Sequence, residues 1–487
     1  MKQNLFELGK NSILYGAGMV LQRMVTLLLL PLLTAYLSPA EFGVFAMLML
    51  LSLVAQSVFG LGMSAAMGPA YFRGKDEGEK SQVVWTTFSL LVISSMILLA
   101  CAWSIPGVFL ELVYLPKSHE LLATLVLTAT ACLILSSCLA QRVQFEKQAV
   151  RFVTIALITS LVTAAVSIVS VVCFGWGVKG LIAAQLIGNA VALTLYLALT
   201  VRETQFSLNL DVGREILKIG IPLIPSFAFL FILMNAGRYF LQTLEGPDQV
   251  GIYTIGHNLG AMIGLVVGAI STAWYPFFMS FIDRQEEARI LFARIFSYYV
   301  LGVGTLCLLF FALAKPAVIL LTQPAFYSAY LVVGLAALSH FFIGIFNLSL
   351  PALYFSNRVT VVSVVQGASV VISIPLIYVL TSSFGLIGAA ISGAIAHLVM
   401  ASCLLLLNFG KRELFFSVRH DWKRIIRFSL GAMLIILISL NAETASITGA
   451  WLLALALSTA CLALVISCLS RDEICTALGR NPKGKCN

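Results

Sequence analysis

Apolar runs of roughly twenty residues recur along almost the whole chain, separated by short polar connections. A run of that length is what an α-helix needs to cross about 30 Å of hydrocarbon. Fourteen such segments can be counted, at 11–36, 41–68, 81–105, 119–140, 151–174, 178–201, 216–243, 250–280, 291–314, 326–354, 359–381, 385–408, 425–441 and 448–469. None reads as an alternating strand of roughly ten residues, which excludes an outer-membrane barrel. The longest polar links, 202–215 and 409–424, are too short to hold a soluble catalytic domain.

Several segments are not uniformly apolar. In 11–36, Asn11, Tyr15, Gly18, Gln22 and Thr26 recur every three or four residues and share one helical face, bordered by Arg23. Arg23 sits about 18 Å into the segment at ~1.5 Å per residue. A lone arginine at that depth costs about 2.5–3.5 kcal/mol unless it meets protein or water. This face is therefore expected to line a cavity, with pairing of Arg23 to backbone carbonyls as the plainer alternative. Segment 216–243 opens with Gly220-Ile-Pro222-Leu-Ile-Pro225, whose prolines kink a helix, and places Asn235, Arg238 and Gln242 on one face. Arg238 lies roughly 9 Å from the outer end, so it either snorkels or offers a cation to a cavity. Ser52, Gln56, Gly60 and Ser64 form a small and polar stripe in 41–68, and Thr254, Asn258, Gly264, Gly268 and Ser271 form one in 250–280. Such stripes serve either close helix packing or a polar wall. His257 and His397 are intramembrane ionisable groups, read as hydrogen-bonded core histidines or as proton-coupling ones. His119, His340 and His420 suggest no specific role.

A repeat underlies the segments. Pro39-Ala-Glu-Phe-Gly43-Val-Phe45 matches Pro247-Asp-Gln-Val-Gly251-Ile-Tyr253 at an offset of 208 (39 to 247, 43 to 251). Gly180 and Gly388 share that offset, as do Asn189 and His397, while Pro69 and Pro276 differ from it by one. The expected architecture is thus an all-α integral membrane protein with two parallel six-helix bundles around a central cavity and two appended helices. Its domains are expected at 1–201 and 216–408, joined by a cytoplasmic linker at 202–215 and followed by 409–487.

Composition agrees with a bilayer as solvent: 60% of the 487 residues are hydrophobic and 10% are charged. The net charge of +9 could point to nucleic acid, but its placement argues for topology. Twenty-five loop Lys and Arg fall on one side of the fourteen segments, and only Lys117, Lys179 and Lys315 on the other. By the positive-inside rule both termini are expected in the cytoplasm, with no cleaved signal peptide. Eight of ten cysteines lie in apolar runs, with Cys475 and Cys486 in the tail, and no paired-ligand spacing suggests a metal or disulfide. Acidic residues avoid the segment interiors, and Glu41, Glu111, Glu120, Glu245, Asp248 and Glu443 belong to outer connections. Catalytic carboxylate pairs, a Walker loop, H-E-x-x-H and G-x-S-x-G are absent, so neither an enzyme, a cofactor nor a metal is expected.

The chain resembles the multidrug/oligosaccharidyl-lipid/polysaccharide exporter superfamily, and within it the O-antigen and polysaccharide flippase branch. The resemblance rests on the two six-segment halves, on Lys10-Asn11-Ser12 entering a polar-faced helix, on Pro39 to Phe45, and on Gly220 to Pro225. It implies a V-shaped cavity between the halves and alternating access. The implied substrate is an undecaprenyl-diphosphate-linked oligosaccharide, such as an O-antigen or capsule repeat unit, carried across the bacterial inner membrane. Implied partners are that lipid, the bilayer and polysaccharide-assembly proteins, and no nucleic acid. The expected substrate-binding residues are Arg23 and Arg238 for the diphosphate or acidic sugars, with Gln22, Asn235, Gln242, Gln56 and Asn258 for glycan hydroxyls. The alternatives are a cation-coupled multidrug exporter, which should carry intramembrane carboxylates, a carrier of the peptidoglycan lipid precursor, and a membrane polysaccharide polymerase, which should expose a large catalytic loop.

Overall fold

The computed structural model describes residues 2–358, 360–409, 416, 418, 420–441 and 447–468. The side chains of Lys10, Asn11, Ser12, Ser64 and Pro225, together with Glu443, Cys475 and Cys486, lie outside the described residues. Among the described residues all regular structure is helical. The helices are α1 (Lys2–Tyr36), α2 (Pro39–Phe59), α3 (Met63–Arg73), α4 (Glu77–Ser104), α5 (Pro106–Leu112), α6 (Glu120–Phe145), α7 (Ala149–Ile168), α8 (Val178–Glu203) and α9 (Leu210–Gly220). They continue as α10 (Ile224–Leu244), α11 (Pro247–Gly260), α12 (Ile263–Met279), α13 (Gln285–Leu321), α14 (Tyr330–Ser349), α15 (Pro351–Tyr354), α16 (Val361–Phe409), α17 (Trp422–Asn441) and α18 (Ile447–Cys468).

Their starts follow local chemistry. The Glu41 N–H donates to the Ser38 hydroxyl and the Ser38 N–H to the Glu41 carboxylate, a capping box that begins α2 with Pro39 at its first position. Asp76 caps α4 by accepting from the Glu79 N–H at 2.7 Å. Eleven helices among the described residues are long and apolar enough to cross a membrane, or twelve with α11 and α12 taken as one span bent by 48°. The expected fourteen counts α10 and both arms of α16 separately. α16 merges two helices across Gly385, whose φ of 52° and ψ of −126° are not helical. Segment 41–68 also differs from a single helix, because it breaks at Gly60–Gly62 into α2 and α3.

By contact the chain forms two compact units, one of Met1–Thr254 with Leu321–Ala325 and one of Ile255–Leu320 with Phe326–Asn487. In the first, α6 is the central helix, packed on by α2, α4 and α8, with Leu127, Ile134 and Leu139 fully enclosed. The Asn189 amide of α8 donates to the Ala129 carbonyl of α6 at 3.0 Å, and the Ser52 and Thr130 hydroxyls stand 2.7 Å apart. The ends of α6, α7 and α8 are tied by ions. Arg142, 3% exposed, donates through Nε to Glu146 Oε1 at 2.6 Å and through Nη2 to Glu203 Oε2 at 2.8 Å. Arg151 pairs with the other oxygen of Glu203.

The two repeat landmarks meet inside this first unit. A Cβ on Gly43 would lie 1.8 Å from the Pro247 carbonyl oxygen, and one on Gly251 would lie 2.0 Å from that of Pro39. Equivalent residues thus exchange equivalent contacts, as across a two-fold axis, and backbones approach this closely only where both helices carry glycine. Sequence repetition and contact therefore divide the chain differently. The repeat breaks at the 202–215 link, whereas contact gathers α10 and the start of α11 with α2.

In the second unit α14 packs on α12 and α16, and α17 on α18. Gly256, Gly260 and Gly264 leave no room for side chains: a Cβ there would meet Ala329 O at 2.4 Å, Val333 O at 2.2 Å and His340 Cδ2 at 2.7 Å. Asn347 of α14 donates to Ser271 of α12 at 2.9 Å. Of the two readings of the stripe in 250–280, Gly264 and Ser271 thus serve packing. Asn258 is exposed and Gly268 faces open space.

Candidate functional site

The break between α2 and α3 creates the candidate site. Leu61 and Gly62 take left-handed φ values of 51° and 63°. The reason is a backbone crossing, since a Cβ on Gly62 would lie 2.2 Å from the Gly220 carbonyl oxygen. Beside this break lies a cavity of about 430 Å³ within the first unit, walled by α2, α3, α4, α6 and α10. That volume falls in the range of small-ligand sites.

Its polar wall consists of Gln56 and Ser57 of α2, Thr87 of α4, Ser137 and Gln141 of α6, and Asn235 of α10. Met63, Met67, Phe231 and Met234 supply apolar surface, and among the described residues no charged side chain lines the cavity. The three hydroxyl hydrogens and one amide hydrogen are already used. Ser57 donates to Leu53 O at 2.9 Å, Thr87 to Val83 O at 2.7 Å, Ser137 to Ile134 O at 2.7 Å, and the Asn235 amide to Phe231 O at 3.0 Å. The hydroxyls keep oxygen lone pairs, and the Gln56 and Asn235 amides bring N–H donors as well as oxygen acceptors. A neutral wall of amides and hydroxyls without a cation matches a ligand rich in hydroxyls, which both donate and accept. Its chemistry suits a neutral polyol and disfavours phosphate.

Of the residues expected from the sequence, Gln56 and Asn235 come together on this wall. Arg238 lies one turn beyond Asn235, half-buried, with its Nε enclosed and unbonded, within electrostatic reach of Tyr253. Gln242 is buried by a hydrogen bond from its amide to the Tyr114 carbonyl at 3.2 Å, which leaves its own Oε1 unsatisfied. The face of α1 expected to line a cavity is instead partly a packing face. Tyr15 meets Phe152 of α7 edge-on at 5.5 Å, and a Cβ on Gly18 would stand 2.8 Å from Val153. Small and aromatic residues on that face seat α1 against α7. Gln22 is half-buried, whereas Arg23 and Asn258 are exposed, and none of these three is on the cavity wall.

The sequence reading missed Ser57, Thr87, Ser137 and Gln141. Ser137 and Gln141 are four apart and therefore share a helical face, a signal that was present in the sequence. Ser57 and Thr87 gave none, because one hydroxyl in an apolar run normally bonds the preceding turn.

Comparison with solved structures places the same fold in known transporters. The lipid II flippase MurJ in an inward closed conformation aligns with a TM-score of 0.77 at 14% identity, over 96% of this chain and 100% of that one. An inward-facing multidrug resistance MATE transporter of the MOP superfamily aligns with a TM-score of 0.63 at 16% identity, over 82% and 97%. The MATE transporter VcmN of Vibrio cholerae aligns with a TM-score of 0.59 at 15% identity, over 82% and 95%. A search of curated proteins finds no match. The family model for polysaccharide biosynthesis proteins matches residues 8–282. This multi-pass membrane chain, with the fold of the MOP exporters, belongs to the polysaccharide biosynthesis protein family.

Proposed function

We propose that the protein is a flippase that carries an undecaprenyl-diphosphate-linked oligosaccharide, of the O-antigen or capsule type, across the bacterial inner membrane by alternating access. The observation that carries this reading is the uncharged, amide- and hydroxyl-lined cavity inside an apolar helix bundle. A glycan head cannot cross hydrocarbon because each buried unpaired hydroxyl costs roughly 2–7 kcal/mol, whereas its polyprenyl tail can stay in lipid. The cavity offers the head hydrogen-bonding amides and hydroxyls, and apolar walls for the ring faces. Under this reading Gln56 and Asn235 bind sugar hydroxyls, and Arg238 and Arg23 attract the diphosphate by charge from outside that wall. Gln22, Gln242 and Asn258 then serve parts of the glycan beyond the cavity. The task is transport, and no bond is made or broken.

The test is surface polysaccharide in a deletion strain complemented with Gln56→Ala, Asn235→Leu or both, at matched membrane levels. Each lost hydrogen bond, at about 1 kcal/mol, should lower transport roughly fivefold, with a larger loss in the double variant. Unaltered surface polysaccharide in all three would remove the cavity from the proposal. Export restored with single repeat units still unpolymerised outside would point to a polymerase instead.

A further inference from the structure

Three histidines that are far apart in sequence converge within the second unit. His257 of α11 and His340 of α14 have ring centroids 6.2 Å apart and planes inclined at 54°. His397 of α16 is 5% exposed and lies within electrostatic reach of His340. α12 makes room for the group: a Cβ on Gly264 would stand 2.7 Å from the Cδ2 of His340.

The ring orientations are informative. His340 Nδ1 lies 3.0 Å from the Ala336 carbonyl oxygen, and His397 Nδ1 lies 2.8 Å from that of Gly393. A carbonyl only accepts, so each Nδ1 carries its hydrogen and each neutral ring keeps its basic lone pair on Nε2. The other titratable groups on the packed helices are few. They are Asp248 in the first turn of α11 and Tyr253 one turn before His257, Tyr275 on α12, Tyr298, Tyr299 and Cys307 on α13, Tyr330 on α14, and Tyr378 and Cys403 on α16. Tyr299 donates to the carbonyl of Phe341 at 2.9 Å and so adds no charge beside His340. The described acids and bases of α13 lie in its first turns and at Lys315, which stacks on Tyr330 at 5.4 Å.

From this convergence we propose that His257, His340 and His397 form a shared proton-binding site within the membrane, and that its loading and unloading drives translocation. Ionisable side chains at membrane depth are costly and typically mark ion pathways, and interacting imidazoles titrate as a group rather than singly. One proton enters from water on one face and returns to water on the other in each cycle, and nothing else is consumed. The coupling rests on the flippase reading above, whereas proton binding does not.

Two measurements separate these. First, histidine-labelled protein in nanodiscs is titrated by NMR between pH 8.5 and 5, with His257→Asn, His340→Asn and His397→Asn to assign the five histidines. The expected result is interdependent titration: removing His340 shifts the midpoints of His257 and His397 while His119 keeps its own. Independent titration of the three rings, or no proton uptake in that window, overturns the site. Glutamine variants replace any asparagine variant that fails to fold. Second, vesicles carrying the protein are given lipid-linked oligosaccharide extracted from the deletion strain, with and without a pH gradient. Wild type should move it at least threefold faster with the gradient in one direction, and His340→Gln should lose that gain. Movement indifferent to the gradient overturns the coupling alone, and no movement at all with intact NMR coupling overturns the flippase reading alone.

Discussion

Removing the carboxylates around Arg142 should destabilise the protein more than removing Arg142 itself. The guanidinium is 3% exposed, while Glu146 and Glu203 are 19% and 27% exposed. In Arg142→Gln the two carboxylates lose their partner but reach water, so the expected cost is about 1–3 kcal/mol, that of unsatisfied polar groups. In Glu146→Gln with Glu203→Gln the guanidinium remains enclosed, and its Nη1 already lacks a partner. An uncompensated buried charge costs about 3–5 kcal/mol. Arg151 also loses Glu203 but is 51% exposed, and an exposed pair adds at most about 1 kcal/mol. Glutamine preserves side-chain size, so the difference reports charge. The assay is equilibrium unfolding in mixed micelles, followed by tryptophan fluorescence on wild type, both single carboxylate variants, the double variant and Arg142→Gln. A double variant within about 1 kcal/mol of wild type, or one less destabilised than Arg142→Gln, would refute the reasoning, since the two orders follow directly from which partner can reach solvent.

Other consequences are equally open to measurement. Gly43→Val and Gly251→Val each drive a side chain into a backbone carbonyl and should cost about 1–3 kcal/mol or more in the same assay. Because they share one contact, the pair should cost less than the sum, and strict additivity would deny the reciprocal packing. Arg238→Leu relieves an enclosed, unbonded Nε and should leave stability at or above wild type while lowering polysaccharide export; a variant that loses stability and keeps export would contradict the proposed role. His420, outside the spans, stacks 4.2 Å from Phe296, and burial pushes its imidazole down to about 4. The folded state thus favours the neutral ring, so its contribution is intact above pH ~6.5 and is lost as the pH falls toward 4. His420→Phe should flatten the decline in stability between pH 6.5 and 4, and an unchanged acid profile would show that another group governs it.

Under the proposed function two kinds of recognition would be separated. The cavity wall carries amides and hydroxyls and no charge, so it would discriminate by hydroxyl pattern and shape, whereas Arg23 and Arg238 would act over distance.

The length of the apolar runs placed most of the spans, because a chain in a bilayer must satisfy every backbone group within its own helix, but it did not show the breaks between α2 and α3 or between α11 and α12. The boundary between 381 and 385 was legible as the gap between two apolar segments, and the repeat through Pro39 and Pro247. Asn235 and Gln56 were legible as polar residues where apolar ones are expected. Tertiary structure decided the rest. Whether Gly264 was wall or seam depended on the helix facing it, and that Tyr15 and Gly18 seat α1 on α7 depended on Phe152 and Val153. The approach of Gly220 to Gly62, at the edge of the cavity, joins positions far apart in sequence, as does the meeting of His257, His340 and His397. Periodicity reports which residues share a face of one helix, but it is silent on which helix lies opposite, and a binding site is made by the faces that meet.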